Sequence, residues 1–516
     1  MVFDDTQVFL PELWASHARF RADKLALVCG EERLTWGALN ARCNAVANGL
    51  LDSPAGRPAR VAVLMNNSAQ AAVILLGVMK SGACVVPIST MLTAPQVASL
   101  LADSGASMVF TDEASRSLAE SAISSLPYPG KLKTICTGGA EGRWRSLDEW
   151  LEGAANTEPA VRYNLCDDFN IVYSSGTTGT PKGIVQTHRA RQHWSYSNAL
   201  ELRMDHTSVA LATTALYSNG TWFMLLPTLF VGATVVIMER FSPEKFLEIV
   251  AAEKVTHTFM VPTQYIGVLE SDALKGADLS TLKYMLSAGS PLRQDTRSAI
   301  LDRLGPGLFE LYGFTEGFAT ICRPEQQHKQ GSVGTPVIGF DLRVVDEQGQ
   351  EVPPGEAGEI VGYGGGLMKH YNNRPDETAD AIWRDERGRT FVRSGDIGKI
   401  DHEGHLFILD RKKDMIISGG FNVFPKDIEE VIGAHPDISD VAVIGIPDPK
   451  WGETPMALAI PVRGRHVDAG DLLEWANRQL AKAQRVKAVE LRDEFPRNAL
   501  GKVIKRELRA PYWDAS

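Results

Sequence analysis

Residues 173–183 combine the side chains that a phosphate-binding loop needs. They read Tyr-Ser-Ser-Gly-Thr-Thr-Gly-Thr-Pro-Lys-Gly and follow a mostly apolar run. Glycine lets the backbone approach an anion closely, while hydroxyl and backbone N–H groups donate to phosphate oxygens. The stretch is not a Walker loop, because Pro181 precedes Lys182 and Gly183 follows it. It predicts a nucleotide site, and the alternative interpretation is a surface turn rich in Ser, Thr and Gly.

A second stretch, 207–238, contains no Asp, Glu, Lys or Arg. Within it, 216–223 reads Leu-Tyr-Ser-Asn-Gly-Thr-Trp-Phe and mixes small polar residues with large aromatic ones. One interpretation is a buried helix followed by a strand. The other is the wall of an apolar pocket.

Length and composition indicate an ordinary globular protein. The 516 residues exceed what one hydrophobic core usually organises, so two or more domains are expected. A net charge of −10 argues against a protein that coats nucleic acid. The six cysteines are scattered without zinc-binding spacing, which favours reduced, mostly buried thiols. The first residues are acidic where a secretory signal would be basic, so we expect a cytoplasmic protein. The longest apolar run, 223–238, is shorter than the about 20 residues of a bilayer-spanning helix, so we expect no transmembrane segment.

The elements that must position these stretches alternate in type. From 35 to 111 the hydrophobic pattern predicts helix, strand, helix, strand, helix and strand, which is typical of parallel α/β layers. A helix is predicted at 187–202, where His188 could face a nucleotide or satisfy a backbone group. Strands are predicted at 255–262 and 282–287, and 331–400 has the Gly, Val and Pro content of a small β-barrel. The last 100 or so residues have the size of a small independent domain.

The 173–183 loop resembles the signature loop of the adenylate-forming superfamily, which includes acyl-CoA synthetases, luciferases and peptide-synthetase adenylation domains. Other motifs of that superfamily follow in the same order: Tyr-Gly-Phe-Thr-Glu at 312–316, Arg-Ser-Gly-Asp at 393–396, Asp-Arg-Lys-Lys at 410–413 and Ser-Gly-Gly-Phe at 418–421. Lys502 lies near the C-terminus, where the superfamily has a catalytic lysine. On these motifs the chain is identified as most like an acyl-CoA synthetase.

The resemblance implies a set of nucleotide and catalytic residues. Thr315 would bond the α-phosphate, and Glu316 would hold Mg²⁺, a hard cation suited to carboxylate and phosphate oxygens. Catalysis is assigned to Thr315, Glu316 and Lys502. ATP or AMP binding is assigned to Ser174, Ser175, Gly176, Thr177, Thr178, Gly179, Thr180, Lys182, Gly289, Ser290, Pro291, Glu310, Tyr312, Gly313, Asp396 and Arg411.

Tyr312 is expected to stack on adenine, and Asp396 to accept from both ribose hydroxyls. Lys413 would be the hinge between the two domains. The tunnel for the pantetheine arm of CoA is assigned to Gly419, Gly420 and Phe421.

The resemblance places the acid-binding pocket on the charge-free stretch. Its expected residues are Tyr217, Ser218, Asn219, Gly220, Trp222 and Gly289. Many relatives have a histidine where this chain has Ser218, so the usual gating role is in doubt and a roomier pocket is expected. The stretch lacks an aspartate that would hold an amino group, and it lacks a cation that would pair with a second carboxylate. Amino acids and short dicarboxylic acids are therefore disfavoured.

The implied fold is α/β, with a large N-terminal domain of layered α/β subdomains plus a small β-barrel subdomain, and a small mobile α+β C-terminal domain. The expected boundaries are 1–411 and 412–516. The implied activity is ATP-dependent ligation of a hydrophobic monocarboxylic acid (fatty, aryl or alicyclic) to coenzyme A through an acyl-adenylate. Three alternatives stay open: transfer to a carrier-protein phosphopantetheine, a luciferase-like oxidation, and a catalytically inactive nucleotide sensor. A homodimer is also left open.

Overall fold

The structure is a computed structural model that describes residues 7–52, 56–174, 181–418, 421–497 and 503–513. The chain divides into two compact units. Unit 1 comprises Met1–Gln330, Pro336–Asp341 and Tyr363–Val392, and unit 2 comprises Gly331–Thr335, Leu342–Gly362 and Arg393–Ser516. No helix among the described residues is long and apolar enough to cross a bilayer.

The described α-helices are α1 (Leu10–Phe20), α2 (Trp36–Leu51), α3 (Ala69–Lys80), α4 (Ala94–Ser104), α5 (Arg116–Ser124), α6 (Leu147–Leu151), α7 (His188–Glu201), α8 (Asn219–Phe230), α9 (Pro243–Ala252), α10 (Pro262–Glu270), α11 (Gln294–Arg303), α12 (Pro375–Asp380), α13 (Pro425–Gly433), α14 (Ala469–Gln479) and α15 (Lys505–Trp513).

The strands of the first part of the chain are β1 (Leu25–Cys29), β2 (Glu32–Thr35), β3 (Arg60–Leu64), β4 (Cys84–Pro87), β5 (Met108–Thr111), β6 (Lys133–Cys136), β7 (Arg145–Ser146), β8 (Asp168–Ser174), β9 (Lys182–Thr187), β10 (Val209–Ala212), β11 (Thr234–Ile237), β12 (His257–Met260), β13 (Tyr284–Ser287), β14 (Leu308–Gly313) and β15 (Ala319–Cys322). The later strands are β16 (Thr335–Pro336), β17 (Phe340–Val345), β18 (Gly358–Gly364), β19 (His370–Tyr371), β20 (Ile382–Arg384), β21 (Thr390–Ile400), β22 (Leu406–Arg411), β23 (Ile416–Ser418), β24 (Phe421–Val423), β25 (Ile438–Asp448), β26 (Gly452–Pro461) and β27 (Val489–Leu491).

Unit 1 contains two largely parallel sheets. The first follows the order β15-β14-β13-β12-β10-β11-β1-β2, and its neighbours from β14 to β1 run parallel. The second is eight-stranded, in the order β19-β9-β8-β4-β3-β5-β6-β7, with β8 and β9 forming an antiparallel pair. This confirms the α/β layers that the alternating pattern predicted.

The core between these sheets is formed by three helices. Residues of α2, α3 and α8 pack in one cluster with β1, β3 and β11. Helix α3 is apolar all round because it is buried along its whole length, from Ala69 to Lys80, except at Gln70. Its first turn is capped by the Ser68 hydroxyl, which accepts from the Ala71 amide at 3.0 Å. The predicted helix and strand at 207–238 are α8 and β11.

Unit 2 is built from short antiparallel elements. In the region predicted as a small barrel, β21 pairs with β22 over Asp396–Ile400. The C-terminal part has a sheet in the order β24-β23-β26-β25, with β27 parallel to β26. Helices α13 and α14 pack on this sheet through a core that includes Ile428, Leu472 and Ala457. A small α+β C-terminal domain was predicted, and this arrangement agrees with it.

Candidate functional site

The segments predicted to bind nucleotide and acid leave one edge of the first sheet. Strands β10, β12, β13 and β14 are neighbours and run parallel, so their carboxyl ends share that edge. Ligands of open α/β sheets bind at this edge. The acid segment follows β10, Gly289 follows β13, and Thr315 and Glu316 follow β14. The tertiary structure therefore collects motifs that lie about 100 residues apart along the chain.

Glu316 and Thr315 are held by contacts with the second sheet. The Glu316 Oε1 atom accepts a hydrogen bond of 2.8 Å from the Tyr371 hydroxyl. The Gln186 side chain, on β9, donates to the Thr315 carbonyl at 2.6 Å, and the Met368 amide donates to the Glu316 carbonyl at 2.7 Å. Because β9 also carries Lys182, these bonds fix the Thr-Glu pair relative to the strand that leaves the phosphate loop.

Lys182 opens β9, and its charge is compensated. Its Nζ atom lies 2.5 Å from Glu377 Oε2 and 4.9 Å from the centre of the Tyr371 ring. Lys182, Glu316, Tyr371 and Glu377 thus form one cluster, called here the nucleotide-side cluster. Desolvation by burial and the nearby Glu316 carboxylate raise the pKa of the Tyr371 hydroxyl, so it stays a donor at neutral pH.

Tyr371 and Glu377 were not predicted from the sequence. They fall in 331–400, which the composition marked only as a small barrel, whereas β19 actually pairs with β9 in the second sheet of unit 1. The available signal in the sequence was a tyrosine at 371 and a glutamate shortly after it, at 377. The sequence alone offered no partner for either of them.

The contacts described for Glu310 are with residues outside the nucleotide-side cluster. It is buried on β14, where its carboxylate pairs with the Arg297 guanidinium of α11. It also accepts from the Leu292 amide at 3.3 Å. These contacts give Glu310 a structural role in joining β14 to α11, and its assignment to ATP binding stays a prediction.

Glycine at 313 is explained by close packing, and glycine at 289 by its backbone conformation. A Cβ on Gly313 would come within 2.9 Å of Ala319 Cβ and the Phe318 carbonyl, across the β14–β15 pair. Gly289 has φ of +93°, a left-handed conformation that disfavours other residues. Gly289, Ser290 and Pro291 follow β13 as a loop, and Gly289 and Pro291 are exposed. Tyr312, next to Gly313, is half-buried, as stacking on a base would require.

The acid segment is half-buried at 217–220 and becomes fully buried at Trp222. Ser218 is the N-cap of α8 without a side-chain cap, so its hydroxyl is not used to end the helix. Gly220 lies against Phe259, and a Cβ there would come within 2.8 Å of that ring. Trp222 donates to the Leu216 carbonyl at 2.9 Å. The small residue Gly220 therefore packs on an aromatic ring, and the assignment of this segment to the acid pocket stays a prediction.

His188 lies among aromatic rings. It is buried, and its ring meets Phe169 edge-on with centroids 5.0 Å apart. Nδ1 has no hydrogen-bond partner among the described residues. Burial lowers the pKa of His188 to about 4, so the ring is neutral. The ring packs as part of the core.

In unit 2, the two residues predicted to bind ribose are adjacent. Asp396 and Arg411 face each other on paired strands, and Arg411 Nε donates to Asp396 Oδ1 at 2.7 Å. Asp396 is 3% exposed, and its backbone amide donates to the Ser394 hydroxyl at 3.0 Å. Lys413 lies two residues further on, in an exposed turn between β22 and β23. The ribose and hinge assignments stay predictions.

Several predicted site residues lie outside the described residues. They are Ser175, Gly176, Thr177, Thr178, Gly179 and Thr180 of the phosphate loop, Gly419 and Gly420 of the CoA tunnel, and Lys502. Ser174 is described by its backbone, which pairs with Lys182, and Phe421 by its pairing with Ser418.

Comparison with known proteins identifies the class. Residues 13–372 match the family model of AMP-binding enzymes, and residues 427–502 match that of the AMP-binding enzyme C-terminal domain. The chain belongs to the AMP-binding enzymes, which are the adenylate-forming superfamily. The predicted acyl-CoA synthetase type, an AMP-forming acid–thiol ligase, is also confirmed by its relatives.

Among curated proteins, the chain is similar to a feruloyl-CoA synthase of an Amycolatopsis species, with 35% identity over 95% of this chain and 96% of the relative. It is also similar to the long-chain-fatty-acid–CoA ligase FadD13 of Mycobacterium tuberculosis, with 34% identity over 93% of each chain. The solved structure of ATP-bound MatB from Rhodopseudomonas palustris matches with a TM-score of 0.88 at 29% identity, covering 98% of this chain and 100% of that one.

Proposed function

We propose that the enzyme joins a hydrophobic monocarboxylic acid (fatty, aryl or alicyclic) to coenzyme A, using ATP and an acyl-adenylate intermediate. The observation that carries this proposal is that Glu316 of the nucleotide-side cluster and the half-buried acid segment follow strands β14 and β10, whose carboxyl ends share one edge of the first sheet. Feruloyl-CoA synthase and FadD13 act on an aryl acid and on long-chain fatty acids, by their names, which supports an acid with a large apolar part.

In the first step, a carboxylate oxygen attacks the α-phosphorus of ATP and pyrophosphate leaves with the electrons of the broken P–O bond. No protein nucleophile is needed, so the protein contributes positioning and stabilisation of charge at phosphorus. Thr315 would donate to the α-phosphate. Lys502 would stabilise the charge that develops at phosphorus, and Lys182 would act on the phosphates from β9.

Glu316 is the residue that would hold Mg²⁺, with the phosphates supplying other oxygens, a ligand set that suits this cation. Its carboxylate is half-buried and oriented by the Tyr371 hydroxyl. The bound cation would neutralise charge on the departing pyrophosphate. Asp396 would accept from the ribose hydroxyls.

In the second step, the CoA thiolate attacks the acyl carbonyl and AMP leaves. We propose that residues 412–516 form a mobile domain that turns about Lys413, so that Gly420 replaces Lys502 at the site. The glycine would leave room for the pantetheine arm, and Phe421 would line the same tunnel. One site would then serve both steps in sequence.

Acid-dependent release of pyrophosphate from ATP tests the first step. The purified enzyme is given a panel of fatty, aryl and alicyclic acids, and thioester formation is then followed with CoA. We expect pyrophosphate release with at least one large apolar acid and little with acetate. If none of the acids causes pyrophosphate release while ATP still binds, the result would instead support an inactive nucleotide sensor.

The acceptor is tested in the same assay. Free CoA is compared with a phosphopantetheinylated carrier protein at equal thiol concentration. We expect faster discharge of the adenylate by CoA. Faster discharge by the carrier protein would move the enzyme to the loading class and leave the first step unchanged.

A further inference from the structure

The acid segment touches a buried cation that its own sequence does not contain. Arg191, on α7, is 3% exposed. Its Nη2 atom donates to Asn219 Oδ1 at 2.9 Å, and its Nε atom donates to Asn170 Oδ1 at 2.9 Å. Its guanidinium carbon lies 5.6 Å from the centre of the Trp222 ring. The guanidinium therefore joins β8 to the first turn of α8, within the predicted acid pocket.

Arg191 differs from the other buried cations of the described residues. Lys80 pairs with Glu158 at 2.9 Å, and Arg297 pairs with Glu310. Arg191 has amide oxygens as its partners, and Nη1 bonds to no described residue. A buried charge without a counter-charge costs several kcal/mol. We therefore treat this buried charge as a candidate ligand contact.

Among the described residues, the hydrogen bonds of Arg191 go to amide oxygens and not to a carboxylate. Desolvation by burial lowers the pKa of Arg191 to about 9. The guanidinium is therefore still protonated at neutral pH. It holds N–H groups that the two asparagine side chains do not use, since a guanidinium has five donors.

Arg191 also lies at a distance from the expected position of the acid's reacting carboxylate. Its partner Asn170 precedes Ser174 by four residues, which is about 13 Å along a strand. The phosphate loop, where the carboxylate must meet ATP, begins after Ser174. An acid with its carboxylate at that loop would reach Arg191 with its far end.

We infer that the acid carries an oxygen acceptor at the end remote from its carboxylate, and that Arg191 binds this oxygen. The inference rests on the proposed function. The sequence argument against a second carboxylate concerned only 207–238, and Arg191 comes from the neighbouring helix. The shared chemistry is an oxygen acceptor, either neutral (hydroxyl, methoxy or keto) or a carboxylate.

Pairs of acids matched in length test the inference. Octanoate is compared with 7-oxo-octanoate and octanedioate, and cinnamate with its 4-hydroxy, 4-methoxy and 4-carboxy derivatives, each by kcat/KM for pyrophosphate release. A single hydrogen bond to a charged group predicts a preference of about 10- to 100-fold for the oxygen-bearing acid. Comparing the acids that carry a remote carboxylate with those that carry a neutral oxygen shows which kind of acceptor Arg191 binds.

Three variants show whether Arg191 causes the preference. In Arg191→Met the ratio of kcat/KM between the paired acids should fall to near one, and in Arg191→Lys part of it should remain because the charge is kept. Arg189→Met is the matched control, because Arg189 is exposed on the same helix. The control should leave the ratio unchanged.

Two outcomes overturn the inference: a wild-type ratio of one or less in every pair, or an Arg191→Met variant that keeps the wild-type ratio because both acids of each pair lose activity equally. The last result would assign Arg191 to the architecture alone. If Arg191→Met does not fold, the inference is tested by the ratios of kcat/KM between paired acids in the wild type and in Arg191→Lys. Failure of the proposed function looks different, because no acid of either kind would release pyrophosphate.

Discussion

The nucleotide-side cluster, through Glu316, and the acid segment both follow strands of the first sheet, but their charges have different kinds of partner. In the cluster, Lys182 is paired with Glu377, and Glu316 is bonded by Tyr371. The acid segment has no charge of its own, and Arg191, a cation that reaches it from α7, has amide partners among the described residues. The difference shows where selectivity can arise. The nucleotide meets charged side chains that already have charged or hydrogen-bonding partners, whereas the acid meets a buried cation. An oxygen at the far end of the acid can accept a hydrogen bond from that cation.

The free energy of unfolding should fall most when a buried charge loses its counter-charge. Glu310→Gln leaves Arg297 buried without its carboxylate, so we expect a loss of about 3 to 5 kcal/mol in the free energy of unfolding. Denaturant unfolding measures this loss. The control is Glu325→Gln, which breaks an exposed pair with Arg203 and should cost less than about 1 kcal/mol. A higher KM for ATP at unchanged stability would instead place Glu310 in the nucleotide site.

Lys502→Ala should slow acyl-adenylate formation by roughly 10²- to 10³-fold, or about 3 to 4 kcal/mol, because one charge contact at the transition state is lost. Thioester formation from a supplied acyl-adenylate should be nearly unchanged. Gly420→Leu is the converse variant and should spare adenylation while blocking thioester formation. Wild-type pyrophosphate release by Lys502→Ala would remove this lysine from the first step.

Tyr371→Phe should weaken the nucleotide-side cluster without unfolding it. The variant removes the hydroxyl that donates to Glu316 and keeps the ring beside Lys182. A hydrogen bond to a charged group contributes about 1.5 to 3 kcal/mol, so kcat/KM for ATP should fall at least about tenfold. Tyr128→Phe, at an exposed tyrosine, is the control. An unchanged magnesium dependence together with unchanged kinetics would contradict the role given to Tyr371.

Ser218→Phe should produce the smallest change, confined to the acid. A bulky ring at the N-cap of α8 would fill space in the pocket and shift preference toward shorter acids by about tenfold, with KM for ATP unchanged. The measurement is kcat/KM across a series from acetate to dodecanoate. Gly220→Phe is less suitable, because any side chain there meets the Phe259 ring. An unaltered chain-length profile would place Ser218 outside the pocket.

The sequence by itself determined the α/β layers, the class of enzyme and most of the positions at the sheet edge. These features are local: hydrophobic periodicity predicted α3 and β3, and the Thr315–Glu316 pair is contiguous with a strand. A loop rich in Gly, Ser and Thr or a Tyr-Gly-x-Thr-Glu run keeps its chemistry within a few residues. The spacing of residues within such a motif can be interpreted from the sequence alone, without knowing how the strands are arranged.

Only the tertiary structure decided which distant side chains compensate one another. Tyr371 reaches Glu316 across 55 residues of sequence, and β1 lies beside β11 although some 200 residues separate them. The charge-free stretch predicted an uncharged pocket, yet Arg191 reaches it from α7. Contacts of this kind depend on how sheets and helices pack. Packing brings together residues that no local pattern connects, so a buried cation and its missing partner appear only in three dimensions.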